Sequence, residues 1–135
     1  MTATIVLCLV LLSGSPECQP AIPTDRQLTR PEMLHALDVA GWSVPYWNQA
    51  LAVAWCESRW QPAARGDNGA AFGLLQVHQD PWQDWSGISG DMGNPVTGLA
   101  VAWQVFSVHE NYKWYGQWGC APEYGDSSLL SVPPE

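Results

Sequence analysis

The sequence predicts a small, single, mainly helical domain with a short β/loop segment around residues 66–80. Three observations carry that expectation. A length of 135 residues suits one domain rather than two. Apolar side chains recur at helical spacing in three separate windows. Between the second and third windows, Gly, Asn and Asp break that spacing. Hydrophobic residues make up 47% of the chain, enough for a packed core.

Residues 3–12 form an apolar run of ten, half the length a membrane-spanning helix needs. With Ser13, Gly14 and Ser15 behind it, the run reads as a secretory signal peptide over residues 1–15, although no Lys or Arg precedes it. A short buried strand or helix is the alternative. Residues 16–28 carry Pro16, Pro20 and Pro23 without periodicity and read as a linker. The domain is expected over residues 29–120.

Thr29, Pro31 and Glu32 have the spacing of a helix start with a capping box. That helix would turn Met33, Leu34 and Leu37 inward and stop at Gly41. A second helix is predicted from Tyr46 to Glu57, with Trp47, Leu51, Ala54 and Trp55 on one face. Pro62 disfavours helix at Gln61, which places the end near residues 58–60. Asp67, Asn68 and Gly69 supply turn chemistry, and Phe72 to His78 is ambiguous between strand and loop. Residues 81–95 read as a polar, Gly-rich stretch carrying Trp82 and Trp85. A third helix is predicted from Val96 to His109, with Leu99, Ala102, Trp103 and Phe106 inward. Aromatic residues 112–120 would close the domain. Residues 121–135 show no pattern and are expected to be a disordered tail.

Composition removes several function classes. Acidic residues outnumber basic ones 13 to 5, for a formal charge of −8. Nucleic acid and anionic membranes both call for a basic face, so neither is an expected partner. No membrane insertion is expected once the leader is gone, and the chain reads as a monomer. His109 and Glu110 begin like a zinc-binding HExxH, but Lys113 stands where the second His should be. There is no CxxC pair, no P-loop, no EF-hand loop and no GxSxG. No metal and no cofactor are therefore expected.

Cys56 and Cys120 each lie near a Trp in apolar context and are read as a disulfide; reduced, buried thiols are the alternative. Such a bridge would contribute about 2–4 kcal/mol and needs an oxidising compartment, in keeping with export. Removal of the leader takes Cys8 and leaves Cys18 unpaired.

Glu57 is the candidate for chemistry. It falls near the C-terminal end of an apolar helix, among tryptophans. Burial and the negative end of the helix dipole both disfavour its charged form. A carboxyl kept protonated near neutral pH can act as a general acid. A salt bridge to Arg59, Arg65 or Lys113 is the structural alternative.

The wider segment runs from Glu57-Ser58-Arg59-Trp60-Gln61-Pro62-Ala63-Ala64 to Gly69-Ala70-Ala71-Phe72-Gly73-Leu74-Leu75-Gln76. It resembles the soluble lytic transglycosylase family of the lysozyme-like superfamily. There a Glu-Ser pair precedes a Pro- and Ala-containing stretch and a Gly-Leu-Met/Leu-Gln turn, with the Glu and Gln nineteen residues apart as here. The likeness covers residues 47–120 and is strongest over 55–77. A Cys before the Glu and a Trp-rich end closing on Cys120 are similar to exported or phage-borne members with a bridge at those sites.

The resemblance implies an α+β lysozyme-like fold with a substrate groove. It implies that Glu57 is the single catalytic acid, that Gln76 lines the saccharide cleft and that Ser58 supports Glu57. Tyr112, or else Tyr115, would supply a late aromatic. The family Asn that opens the next helix matches either Asn94 or Gly98, and if Gly98 then that Asn is missing.

The substrate class so implied is peptidoglycan, cut between N-acetylmuramic acid and N-acetylglucosamine with a 1,6-anhydro product. Hydrolysis, as in the goose-type relatives, needs a second carboxylate, for which Asp67, Asp80, Asp84 and Asp91 are candidates. A non-catalytic glycan-binding module of the same fold is the other reading. Of the nine tryptophans, Trp60, Trp82, Trp85 and Trp114 fall in predicted loops and are expected along a groove, stacking on sugar rings. Trp55 and Trp103 are expected in the core.

Overall fold

The structure is a computed structural model that describes residues 22–108, Trp114, residues 118–120 and Pro134. The expected leader, the expected tail apart from Pro134, and Tyr112, Lys113 and Tyr115 lie outside the described residues.

Helix α1 spans Arg30–Ala40. The Thr29 hydroxyl accepts from the Glu32 N–H at 3.3 Å, and Glu32 Oε1 accepts from the Thr29 N–H at 2.9 Å. That reciprocal pair satisfies two donors that a helix start leaves open. Arg26 grips the same carboxylate through two hydrogen bonds of 2.9 and 2.7 Å. The Arg26 bonds come first among the causes that hold the Glu32 carboxyl down to about 2. Gly41 ends the helix at φ +92°, in the left-handed region that glycine enters without a Cβ clash. Met33, Ala36 and Leu37 are buried.

The segment before α1 is not a linker throughout. Leu28 is in the core, and its N–H donates to the Trp60 carbonyl at 2.9 Å. Ile22 also packs against the core, so apolar contact reaches upstream of the expected boundary at residue 29.

A 3-10 turn, Val44–Tyr46, leads into α2, Trp47–Ser58. Its buried side chains are Ala50, Leu51, Val53, Ala54 and Ser58, while Trp47 and Trp55 are half-buried. The helix stops where Arg59 and Trp60 both take positive φ, +53° and +59°.

Three two-residue strands follow: β1 Arg65–Gly66, β2 Ala71–Phe72 and β3 Val77–His78. They form an antiparallel sheet in chain order, with Gly66 opposite Ala71 and Ala71 opposite His78. The ambiguous stretch from Phe72 to His78 is therefore strand, tight turn, strand. Helix α3, Gln79–Ser86, lies where a polar loop was expected. The helical geometry begins after Asp80, at Pro81. None of its residues is buried, and with only Pro81, Trp82 and Trp85 apolar in it the helix is too short to show a helical period in the sequence.

Helix α4 spans Pro95–Val108, starting one residue earlier than predicted; His109, the predicted end, lies outside the described residues. It packs against α1 and buries Gly98, Leu99, Val101, Ala102, Val105 and Phe106. A Cβ on Gly98 would come within 2.9 Å of the Met92 carbonyl oxygen, and one on Gly73 within 2.8 Å of the same atom. Only glycine lets the 91–94 loop pass between α4 and the turn before Gln76.

The core is unusually rich in indole. Trp42, Trp60, Trp114 and Trp118 are all buried. Three of them donate their ring N–H to backbone carbonyls: Trp42 to Leu99 at 2.8 Å, Trp60 to Leu51 at 2.9 Å and Trp118 to Leu75 at 2.7 Å. The Trp114 ring N–H donates to the Gln49 side chain at 2.8 Å. Burial without those partners would leave costly unpaired donors. Trp114 and Trp42 stack at 5.6 Å, and Trp118 meets Trp114 edge-on at 5.0 Å.

Candidate active site

Glu57 lies in the last turn of α2, half-buried. Burial comes first in pushing its carboxyl above the ordinary 4.5, and the negative field of Asp67 pushes the same way. The backbone N–H groups of Cys120 and Gly119 oppose that shift. The Cys120 N–H donates to Oε2 at 3.0 Å. The site thus balances two forms of one group. Desolvation favours the acid, and the two donors keep the carboxylate accessible.

Two of the three cations that could have neutralised Glu57, Arg59 and Arg65, lie against aromatic rings. The Arg59 guanidinium lies 4.9 Å from the Trp55 ring centre, and that of Arg65 lies 3.6 Å from the Phe72 ring. Among the described residues Arg26 forms an ion pair with Glu32, and the His78 ring nitrogen lies 2.9 Å from Asp67 Oδ2. Lys113 lies outside the described residues.

Cys56 and Cys120 form the expected disulfide, closing a separation of 64 residues with Cα atoms 5.9 Å apart. The bridge sits one residue before Glu57 and includes the residue whose N–H reaches the carboxylate.

Ser58 is buried. Its hydroxyl lies 2.7 Å from the Leu74 carbonyl and 3.0 Å from that of Ala54. It ties the end of α2 to the Gly73–Gln76 turn. A role beside Glu57 is compatible with that burial, whereas direct contact with substrate is not. Gln76 takes positive φ, +49°. Its side-chain nitrogen donates to the carbonyls of Ala64 at 2.8 Å and Gly73 at 2.9 Å. Both amide hydrogens are spent, so Oε1 is what Gln76 has left to offer, as an acceptor. That oxygen lies over Gly66, 2.6 Å from where a Cβ would stand.

The tryptophan expectations divide. Trp60 is wholly buried and Trp114 nearly so, which removes both from a groove wall. Trp60 instead packs edge-on against Trp55 at 5.3 Å. The cause is tertiary: the left-handed pair at 59–60 turns the chain inward. Trp82 is half-buried, and Trp85 is 49% exposed and meets Trp82 edge-on. Trp55 and Trp103 are half-buried against the core, as helix-face residues should be. Tyr112 and Tyr115, the expected late aromatics, lie outside the described residues.

Asn94 and Gly98 now have separate roles. Asn94 Oδ1 accepts from the Val96 N–H at 3.0 Å and the Thr97 N–H at 3.5 Å, so it caps α4. Gly98 is packed under the Met92 carbonyl. Gly98 has no side chain, and the Asn94 side-chain oxygen is committed to the cap, so the amide implied by the family pattern has no counterpart at Gly98.

Sequence reasoning put Asp67 among four carboxylates without choosing. Asp67 Oδ2 lies 2.9 Å from His78 Nε2, in a turn where Asp67 and Asn68 both have positive φ. The signal that could have singled it out is the Asp-Asn-Gly turn, placed by the sheet next to β3. Among the described residues, no group of three or more His, Cys, Asp or Glu side chains is arranged to hold a metal ion. A shallow hollow of about 360 Å³ lies along α3, lined by Gln83, Asp84, Ile88 and Ser89 among others, and Glu57 is not part of it. No family model, curated protein or solved structure matches the chain.

Proposed function

We propose that this chain is an exported lytic transglycosylase that cleaves the bond between N-acetylmuramic acid and N-acetylglucosamine in peptidoglycan. The observation that carries the reading is Glu57, a half-buried carboxyl held above its ordinary range yet supplied with backbone donors. It would protonate the glycosidic oxygen. As a carboxylate it would then take the proton from the muramoyl 6-hydroxyl, which attacks the anomeric carbon and closes the 1,6-anhydro ring. No water is consumed, and one carboxyl serves both steps. The Gln76 side-chain oxygen would accept from a sugar hydroxyl or amide beside it. The disulfide supports an oxidising compartment. Among the described residues no helix is long and apolar enough to cross a membrane.

Hydrolysis is the second reading, favoured by Asp67. Its field reaches Glu57, and a paired, positioned carboxylate could activate a water.

Mass spectrometry of fragments released from purified peptidoglycan separates the two. Anhydro-muropeptides that vanish in Glu57→Gln are expected. The loss should be about 10²–10⁴-fold, the range for a general acid–base group. Reducing-end fragments that vanish in Asp67→Asn would establish hydrolysis instead. Binding to the wall with no fragments from the wild type would make the chain a glycan-binding module.

A further inference from the structure

The disulfide and the candidate acid share more than proximity. Cys56 is the covalent neighbour of Glu57, and Cys120, its partner across the bridge, donates its backbone N–H to Glu57 Oε2 at 3.0 Å. The Gly119 N–H also favours the charged form of the same carboxyl, although the hydrogen bond itself comes from Cys120. Both N–H groups belong to the closing segment, which the sulfur–sulfur bond, across a separation of 64 residues, fastens covalently to α2. Trp118 fastens it a second time, through its ring N–H to the Leu75 carbonyl at 2.7 Å. That second tie reaches the turn before Gln76, whereas the bridge reaches the acid itself.

We propose that the Cys56–Cys120 disulfide is a positioning element for Glu57: it holds the Gly119 and Cys120 N–H groups on the carboxylate, beyond any stapling of the fold. This rests on reading Glu57 as the acid and base. When Glu57 has given its proton to the leaving oxygen, it is a half-buried anion. Charge-assisted hydrogen bonds from fixed backbone donors stabilise that anion without reorganisation. Among the described residues, the charged group acting on Glu57 is Asp67, from the turn after β1, and it works against the anion. Arg59 and Arg65 stack on Trp55 and Phe72. No described cation can therefore replace the two donors.

The test begins with no substrate at all. In ¹⁵N-labelled protein, the amide protons of Gly119 and Cys120 are followed across pH. They are expected to shift with one shared midpoint, and that shift should be absent in Glu57→Gln. The bridge is then opened with a phosphine reductant and alkylated, with retention of fold checked by circular dichroism. The amides should stop reporting Glu57, and the Glu57 carboxyl should titrate at higher pH. On solubilised glycan strands, kcat should fall about tenfold with KM unchanged, the scale of one lost charge-assisted hydrogen bond. If opening unfolds the chain, the Cys56→Ala, Cys120→Val pair, which fills the space of the bridge, takes its place. Amides blind to Glu57 in the native protein overturn the proposal. So do amides that titrate identically with the bridge open, because the bridge is then a staple only. Coupled amides in a protein that cuts no glycan would leave the positioning intact and overturn the enzymatic reading.

Discussion

Glu57 and Glu32 are two glutamates pushed in opposite directions, and their contributions to stability have opposite signs. The Glu57 carboxyl lies above 4.5 when folded, so the folded chain binds more protons than the unfolded one between those two values. Its contribution favours the fold at low pH and is lost as pH rises through the folded value. Glu32, held at about 2, contributes above 4.5 and loses that contribution as pH falls towards 2. Glu57→Gln should therefore raise the melting temperature at pH 7 and change it little at pH 4, read by calorimetry at both. A second expectation concerns Gly66. Its φ of −134° is open to any residue, so alanine strains no backbone there. The new Cβ would meet Gln76 Oε1, which cannot swing away without breaking its two bonds to Ala64 and Gly73. Gly66→Ala should keep the fold and lower glycan cleavage by about 10²-fold, the scale of a 1 Å misplacement near a reacting centre.

The elements that local chemistry specifies were legible in the sequence. Thr29, Glu32 and Gly41 bracket α1 because their side chains, or the lack of one, act within a few residues of themselves. The end of α2 and the start of α4 followed from Pro62 and the apolar spacing in the same way. Helix α3 was not legible, since its helical part runs only from Pro81 to Ser86 and two tryptophans are too few to set a period. In the candidate site, Glu57 and Gln76 could be named from the motif. What Gln76 does with its amide could not, because Ala64 and Gly73 become its partners only once the sheet has formed. The same holds for Trp60, whose burial depends on Leu28 and Leu51 arriving from other elements. Gly98 offers a test at this scale. The family pattern invites an Asn there, yet even the Cβ of alanine would crowd the Met92 carbonyl. Gly98→Ala should cost about 1–3 kcal/mol by urea unfolding, as overpacking does, and Gly98→Asn more.

Across the whole molecule, one covalent tie joins the closing segment to α2. By chain entropy, a loop of 64 residues is worth about 4 kcal/mol. Thermal unfolding with and without reductant should show a loss of that order. The same fold also determines what light will report. Trp42, Trp114 and Trp118 lie with ring centres 5.0 and 5.6 Å apart, near enough for their excited states to couple. Such coupling adds a band near the helical signal in circular dichroism, so helix content read from that spectrum will be distorted while the rings stay packed. The buried indoles should emit at short wavelength and trade excitation among themselves. A sugar resting on Trp85 would change one emitter of nine. The intrinsic fluorescence of this protein is thus a gauge of core packing, and a ligand assay needs a label placed elsewhere.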